Sequence, residues 1–186
     1  MKLLIMGPPG VGKGTQATLL KDQLKIVHLS TGDILRSEIK KKSSIGLKAK
    51  SYMDAGKLVP DQVLLDIIND RIIEHDCIEG YLLDGFPRTL KQAIGLDNIM
   101  SSIHHSLDSA ISLVADSDEL VQRLIKRGID SGRSDDTDEV IRNRQKIYWE
   151  ETAPLLDYYK EKNILKEVNG IGDIKEITLR ILEKIK

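Results

Sequence analysis

Cysteine, charge imbalance and long apolar runs are all scarce in this 186-residue chain, and each scarcity removes a class of protein. Cys77 stands alone, which excludes an internal disulfide and any Cys-rich zinc site and agrees with a reducing compartment. The formal net charge is -1, from 28 Lys and Arg against 29 Asp and Glu, so no overall field would hold the chain on nucleic acid or an acidic membrane. Any anion site must therefore be local. No window of about 18 apolar residues exists to span a bilayer, and the opening Met1–Met6 reaches Gly7 and Pro8 too soon for a secretory h-region. The expectation is a cytoplasmic protein with neither membrane nor nucleic-acid partner. Internal repeats, low-complexity tracts and Pro- or Ser-rich linkers are also missing. With 40% hydrophobic and 31% charged residues, the chain reads as one core domain able to bury its own interior.

What is present alternates between two periods. Leu3–Met6 is a short apolar run ended by Gly7-Pro8-Pro9-Gly10, and from Lys13 to Leu24 the spacing turns helical, with Ala17, Leu20 and Leu24 on one face. Ile26–Leu29, Tyr81–Asp84, Ala110–Val114 and Ile164–Val168 are further strands, separated by helical stretches. Five strands alternating with helices predict an α/β fold with a central parallel sheet. Val63, Ile67 and Ile68 mark a helix face after Pro60-Asp61, and a longer helix is expected over Asp138–Tyr159, bent at Pro154. Trp149 and the tyrosines of that stretch are expected to pack inward.

The first strand leads directly into Gly7-Pro8-Pro9-Gly10-Val11-Gly12-Lys13-Gly14-Thr15, a GxxxxGK loop at the start of a helix. Glycines let backbone N–H groups turn toward phosphate oxygens, the helix N-terminus adds positive potential, and a lysine in this place reaches β- and γ-phosphates. Gly10, Val11, Gly12, Lys13, Gly14 and Thr15 are thus the candidate triphosphate cradle. The generic motif has Ser or Thr directly after the lysine to hold Mg²⁺; here Gly14 intervenes and Thr15 comes one later. Magnesium would then be held through phosphates, waters and a carboxylate.

Two more segments follow strand ends: Ser30-Thr31-Gly32-Asp33-Ile34-Leu35-Arg36 and Asp84-Gly85-Phe86-Pro87-Arg88-Thr89. Singly, the first could be a helix N-cap and the second a simple turn. In an open α/β sheet, however, ligands bind outside the carboxyl ends of the strands, which brings both segments to the crevice that holds the phosphate loop. With GPPGVGKGT, TGDILR and DGFPRT intact and in this order, the chain closely resembles the adenylate kinase family over essentially its whole length.

That resemblance implies a P-loop NTPase fold with a core of about 1–30, 61–126 and 138–186, a helical AMP-binding lobe of about 31–60 and a lid of about 127–137. It implies ATP, AMP and ADP as substrates, Mg²⁺ as cofactor and a monomer. Thr31, Arg36, Arg88 and Gln92 would contact AMP, with Gly85 and Phe86 beside its adenine and the backbone of Lys57, Leu58 and Val59 lining the base. Residue chemistry supports the arginines, since planar guanidinium forks match phosphate oxygens in bidentate fashion. Asp84 ends an apolar strand where a Walker-B-like aspartate would hold Mg²⁺ through water, a reading preferred to that of a plain strand-end Asp capping the next segment.

Five of the nine arginines, Arg123, Arg127, Arg133, Arg142 and Arg144, fall within one stretch. Such a run is ordinarily a solvated face, but beside a phosphate loop arginines can neutralise the charge redistributed during phosphoryl transfer and exclude water. Resemblance gives nucleotide or phosphate roles to Arg123, Arg127, Arg133 and Arg144; it assigns no firm counterpart to Arg142, which is left out of the site. Asp135-Asp136 would either position those arginines or form an exposed acidic turn. Only Gly128–Gly132 separates Arg127 from Arg133, so this is the short-lid form, and the zinc-binding lobe of long-lid relatives is not expected.

An AMP phosphate oxygen is already ionised at neutral pH, so the implied reaction needs no general base. Consistently, no Ser-His-Asp or Cys-His arrangement presents itself, and His28, His75, His104 and His105 lie outside the motifs. Lys40-Lys41-Lys42 suits a helix C-terminus, and Cys77, without a cationic neighbour in sequence, reads as an inert thiol. Two rivals stand beside the adenylate kinase reading. A UMP/CMP kinase differs mainly around the acceptor base, where Thr31 and Thr89 favour adenine. A non-catalytic nucleotide-binding module of the GTPase kind would carry an NKxD segment, and the chain has none.

Overall fold

The computed structural model describes all residues except 132–134, together with all side chains except those of 117, 118, 130 and 131. Five strands form one sheet: β1 (Lys2–Met6), β2 (Val27–Ser30), β3 (Tyr81–Asp84), β4 (Ser109–Val114) and β5 (Leu165–Asn169). Every pairing is parallel, in the order β2-β3-β1-β4-β5. Parallel neighbours require crossovers, and the alternating helices supply them: α1 (Lys13–Leu24), α2 (Thr31–Lys41), α3 (Ser44–Asp54), α4 (Asp61–Ile72), α5 (Leu90–Ser102), α6 (Ser117–Ser131), α7 (Asp138–Ile147), α8 (Leu155–Glu161) and α9 (Ile174–Ile185). Among the described residues no helix is long and apolar enough to cross a membrane.

Alternation along β1 divides the core between the sheet's two faces. Leu4 and Met6 pack with Leu29, Leu83 and the apolar stripes of α4, α5 and α8; Leu3 and Ile5 pack with Leu82, Ile111 and the stripes of α1 and α9. On α4 the buried stripe is Leu64, Ile68 and Ile72, with Val63 and Ile67 half-buried beside it. The sequence places these elements within one or two residues of where they lie. Strand order reverses at β1, whose neighbours are β3 and β4, so a crevice opens beyond the carboxyl ends of β1 and β3.

The stretch from Asp138 departs from expectation. It is not one helix bent at Pro154: α7 ends at Ile147, a single π turn covers Tyr148–Thr152, and α8 begins after Pro154. Proline has no N–H for the carbonyl four residues back, and the chain widens the preceding turn, with Ala153 N–H donating to Tyr148 O at 2.8 Å. Tyr148 and Tyr159 are buried as expected, but Trp149 is 57% exposed. It sits on the outer side of the widened turn, edge-on to Tyr148 with ring centroids 5.2 Å apart.

Leu4, fully buried on the central strand, makes the sheet's dependence on this packing measurable. Leu4→Ala is expected to lower the unfolding free energy by about 3 kcal/mol in urea titrations followed by circular dichroism.

Candidate active site

A cavity of about 630 Å³ opens at the carboxyl ends of the strands, in the size range of a small-molecule site. The phosphate loop after β1, the start of α2 after β2 and the turn after β3 all line it. Among its described lining residues Lys13, Arg36, Lys57, Arg88, Arg123, Arg127 and Arg144 face only Asp33, Asp84 and Asp135 as carboxylates. Since the chain as a whole is close to neutral, this concentration marks an anion site.

The loop is shaped by close approach. Gly10, at φ +89, passes so near the next element that a Cβ there would lie 2.7 Å from Leu120 O, and Gly12, at φ +97, takes the left-handed conformation at the start of α1. Lys13 folds back over the loop, its Nζ donating to Gly7 O at 2.7 Å and Pro8 O at 3.0 Å. Burial is the main force on its ammonium, opposed by Asp84 and reinforced by Arg88, Arg144 and Arg127; together they pull its pKa down to about 7. Gly14 and Thr15 are at the mouth, whereas Val11 turns its side chain into the core and leaves only backbone toward the loop.

Asp84 is 8% exposed at the end of β3, and a Cβ on Gly14 would stand 3.8 Å from its Oδ2. His28 Nε2 lies 3.2 Å from that same oxygen. The histidine outside the motifs is therefore part of the site's wall, because β2 and β3 pair His28 beside Leu82 and run on together to Ser30 and Asp84. Sequence reading misses it because the cross-strand register that makes the contact is not written in either strand alone.

Both readings of the second motif hold at once. Ser30 Oγ caps α2 by accepting from Asp33 N–H at 3.3 Å, and Thr31, buried, donates to Gly85 O at 3.0 Å, tying the second motif to the third. Arg36 reaches Asp33 at 2.6 Å. Gly56 to Val59, the chain between α3 and α4, line the cavity, as do Gly85 to Arg88. Arg88 Nε donates to Gly85 O at 2.8 Å; burial first, then the nearby Arg144, lower its pKa to about 10, and it stays charged at neutral pH.

Gln92 lies behind the cavity wall. Fully buried, it accepts from Arg88 N–H at 2.7 Å and donates to Asp61 Oδ1 at 2.8 Å, so in this structure it props the arginine's loop. Thr152, in the π turn, clamps the same residue from the other side by donating to Arg88 O at 2.8 Å. Its hydroxyl belongs to no recognisable motif and left no signal in the sequence.

The arginine cluster divides. Arg127 makes a two-pronged pair with Asp136, both contacts 2.7 Å, which outweighs the cost of burial and raises its pKa. Arg144 reaches Asp135 and Asp136, each at 2.8 Å, while burial lowers its pKa. Arg123 pairs with Glu119 at the cavity mouth, and Arg142 turns outward to Asp138. Arg133 lies outside the described residues. Asp136 is 6% exposed and Asp135 half-buried at the cavity, so the acidic pair supports two arginines and is not a solvated turn.

Elsewhere, Lys40 and Lys41 end α2 and Lys42 caps it. Cys77 is buried with Arg71 Nη1 3.1 Å from its sulfur, a cation the local sequence did not reveal; burial nonetheless pushes the thiol up to about 11, leaving it protonated and inert. No group of three or more His, Cys, Asp or Glu able to hold a metal ion occurs among the described residues.

Because Asp136 compensates two guanidinium groups in a dry position, Asp136→Asn is expected to destabilise the fold by about 3 kcal/mol, read from urea unfolding midpoints. The exposed pair partner Asp138→Asn should move them by less than about 0.5 kcal/mol.

Comparison with known proteins agrees with the geometry. A match to the family described as Adenylate kinase covers residues 5–164. The chain is 50% identical over 184 residues to an adenylate kinase of Leptospira biflexa serovar Patoc, covering 99% of each chain. It is 48% identical over 186 residues to one from Bifidobacterium longum, covering 100% of each. With one of Nocardioides sp. it shares 47% over 185 residues, covering 100% of this chain and 97% of the relative. Three strand-end loops around one cation-rich cavity, and likeness of this extent, place the chain in the adenylate kinase family.

Proposed function

We propose that the protein is an ATP:AMP phosphotransferase that converts ATP and AMP reversibly into two ADP by in-line transfer of the γ-phosphoryl group. The observation that carries this reading is that the glycine-rich loop and a second set of arginines, Arg36, Arg88 and Arg144, line one cavity. One nucleotide's phosphates would lie on the loop amides from Gly10 to Thr15, Lys13, Arg123 and Arg127. The other's would meet Arg36, Arg88 and Arg144, with Arg133 joining them, Thr31, Lys57, Leu58, Val59, Gly85 and Phe86 around its base, and Gln92 holding the loop of Arg88 from behind. Residues of about 31–60 would then be the AMP-binding lobe, about 127–137 the lid, and the rest the core. The enzyme would work as a cytoplasmic monomer.

Chemically the arrangement needs no proton carrier, because the attacking phosphate oxygen is already ionised. Lys13, Arg88 and Arg144 lie close enough to perturb one another, so their charges converge on one small volume. Charge moving from the γ-phosphoryl oxygens to the bridging oxygen stays within reach of fixed cations throughout, and the site needs no solvent reorganisation to follow it. Asp84 fits a magnesium ion held through water, being a hard carboxylate donor at the mouth of the phosphate loop. The ion, when bound with ATP, would add positive charge at the β- and γ-phosphates.

A panel of acceptors separates this reading from its rivals. With Mg-ATP as donor, coupled assays should show AMP strongly preferred over CMP, UMP, GMP and dTMP; preference for CMP or UMP would make it a pyrimidine enzyme, and no turnover with any acceptor a binding module. Lys13→Met should lower kcat/KM at least about 100-fold, and a loss below about threefold would refute the lysine's role.

The lowered pKa of Lys13 gives a further expectation. Phosphate oxygens favour the charged ammonium and raise its pKa above about 7, so ATP binding takes up a proton at and above that pH, and affinity falls as pH rises from there toward the bound-state value. Calorimetry at about pH 8, where ATP itself is fully ionised, should show heats that vary with buffer ionisation enthalpy in the sense of proton uptake. Equal heats in all buffers would count against it.

A further inference from the structure

Three successive residues of α7 leave the helix in three directions and land on three different parts of the molecule. Arg144 Nη1 reaches Asp135 and Asp136 at the cavity. Asn143 Nδ2 donates to Ala55 O at 2.8 Å, 88 positions back, where the chain leaves α3 and enters the cavity-lining segment. Gln145 Nε2 donates to Pro9 O at 3.1 Å, 136 positions back, inside the phosphate loop. Successive helical residues stand about 100° apart, so a single helix can face all three at once only in one rotational setting.

A second contact shows how closely α7 is seated. Gly56, directly after Ala55, packs so tightly on the helix that a Cβ would come within 2.9 Å of Val140 Cγ1 and 3.1 Å of Arg144 Cγ. The stem of Arg144 is thus pressed by the segment that Asn143 holds, and on its other side Gln145 fastens the helix to the loop that carries Lys13.

We infer that Asn143 and Gln145 are positioning residues for Arg144, setting the helix against the second-nucleotide segment and the phosphate loop together so that its guanidinium points between the two phosphate sites. The inference rests on the phosphotransferase reading of the cavity. Neither side chain touches the reacting atoms; each supplies one hydrogen bond to a backbone carbonyl of a different nucleotide-binding segment. Loss of either lets α7 rotate or slide, and a small displacement of an aligned cation costs rate more than it costs binding.

The test is a mutant cycle on the full chain. Gln145→Met keeps the side chain's volume while removing the donor, and Asn143→Ala removes the other bond. Rates are divided by the concentration of binding-competent enzyme from ATP titration, so a partly folded preparation does not imitate the effect. Each substitution is expected to lower kcat about three- to tenfold with KM for ATP changed less than about twofold. In an Arg144→Ala background either should change kcat by less than about twofold, because the residue they position is gone. The inference is overturned if the Asn143→Ala/Gln145→Met double variant keeps kcat within about twofold of the wild type. It is equally overturned if the full loss persists without Arg144. Absence of phosphoryl transfer by the wild-type protein would instead remove the phosphotransferase reading itself.

Discussion

Like-charge crowding around one cavity is the constraint that the rest of this structure answers to. Burial first, and then repulsion from Arg88, Arg144 and Arg127, depresses the Lys13 ammonium to about 7, and burial with the nearby Arg144 depresses the Arg88 guanidinium to about 10. Such a group holds together only if each cation is restrained by a fixed partner. The restraints are of two kinds. Lys13 and Arg88 lean on backbone carbonyls of their own loops, whereas Arg127 leans on the buried carboxylate of Asp136 and Arg144 on those of Asp136 and Asp135.

The fold provides those restraints from separate directions. Parallel pairing brings the ends of β1, β2 and β3 to one edge, so three loops distant in sequence become neighbours without any of them needing a long reach. Side chains then stitch the loops: Thr31 to Gly85, Gln92 and Thr152 to the two backbone groups of Arg88. The buried layers on both faces of the sheet fix the strands, and hence the spacing of the loops, to within the tolerance that converging charges demand.

Much of this is legible in the residues themselves. The switch from an apolar run to helical spacing across Gly7–Lys13 locates a strand, a loop and a helix, and the three loop strings locate the cavity. What escapes is whatever depends on register or on distant packing. His28 meets Asp84 only because two strands align; Thr152 meets Arg88 only because a turn widens ahead of Pro154; Arg71 meets Cys77 only because a helix ends beside it. Local patterns report which face of an element is apolar, but not the azimuth at which two elements join.

That azimuth is what the π turn at Tyr148–Thr152 governs. Upstream of it α7 is phased to the cavity; downstream α8 is phased to the sheet, where Leu155 and Tyr159 are fully buried. A continuous α-helix would impose one phase on both tasks, and any substitution that improved the packing of α8 would drag the cavity-facing side chains with it. The widened turn works as a coupling with an angular offset. It lets the interior of the protein and its charged cleft accept different rotations of what is nearly the same rod.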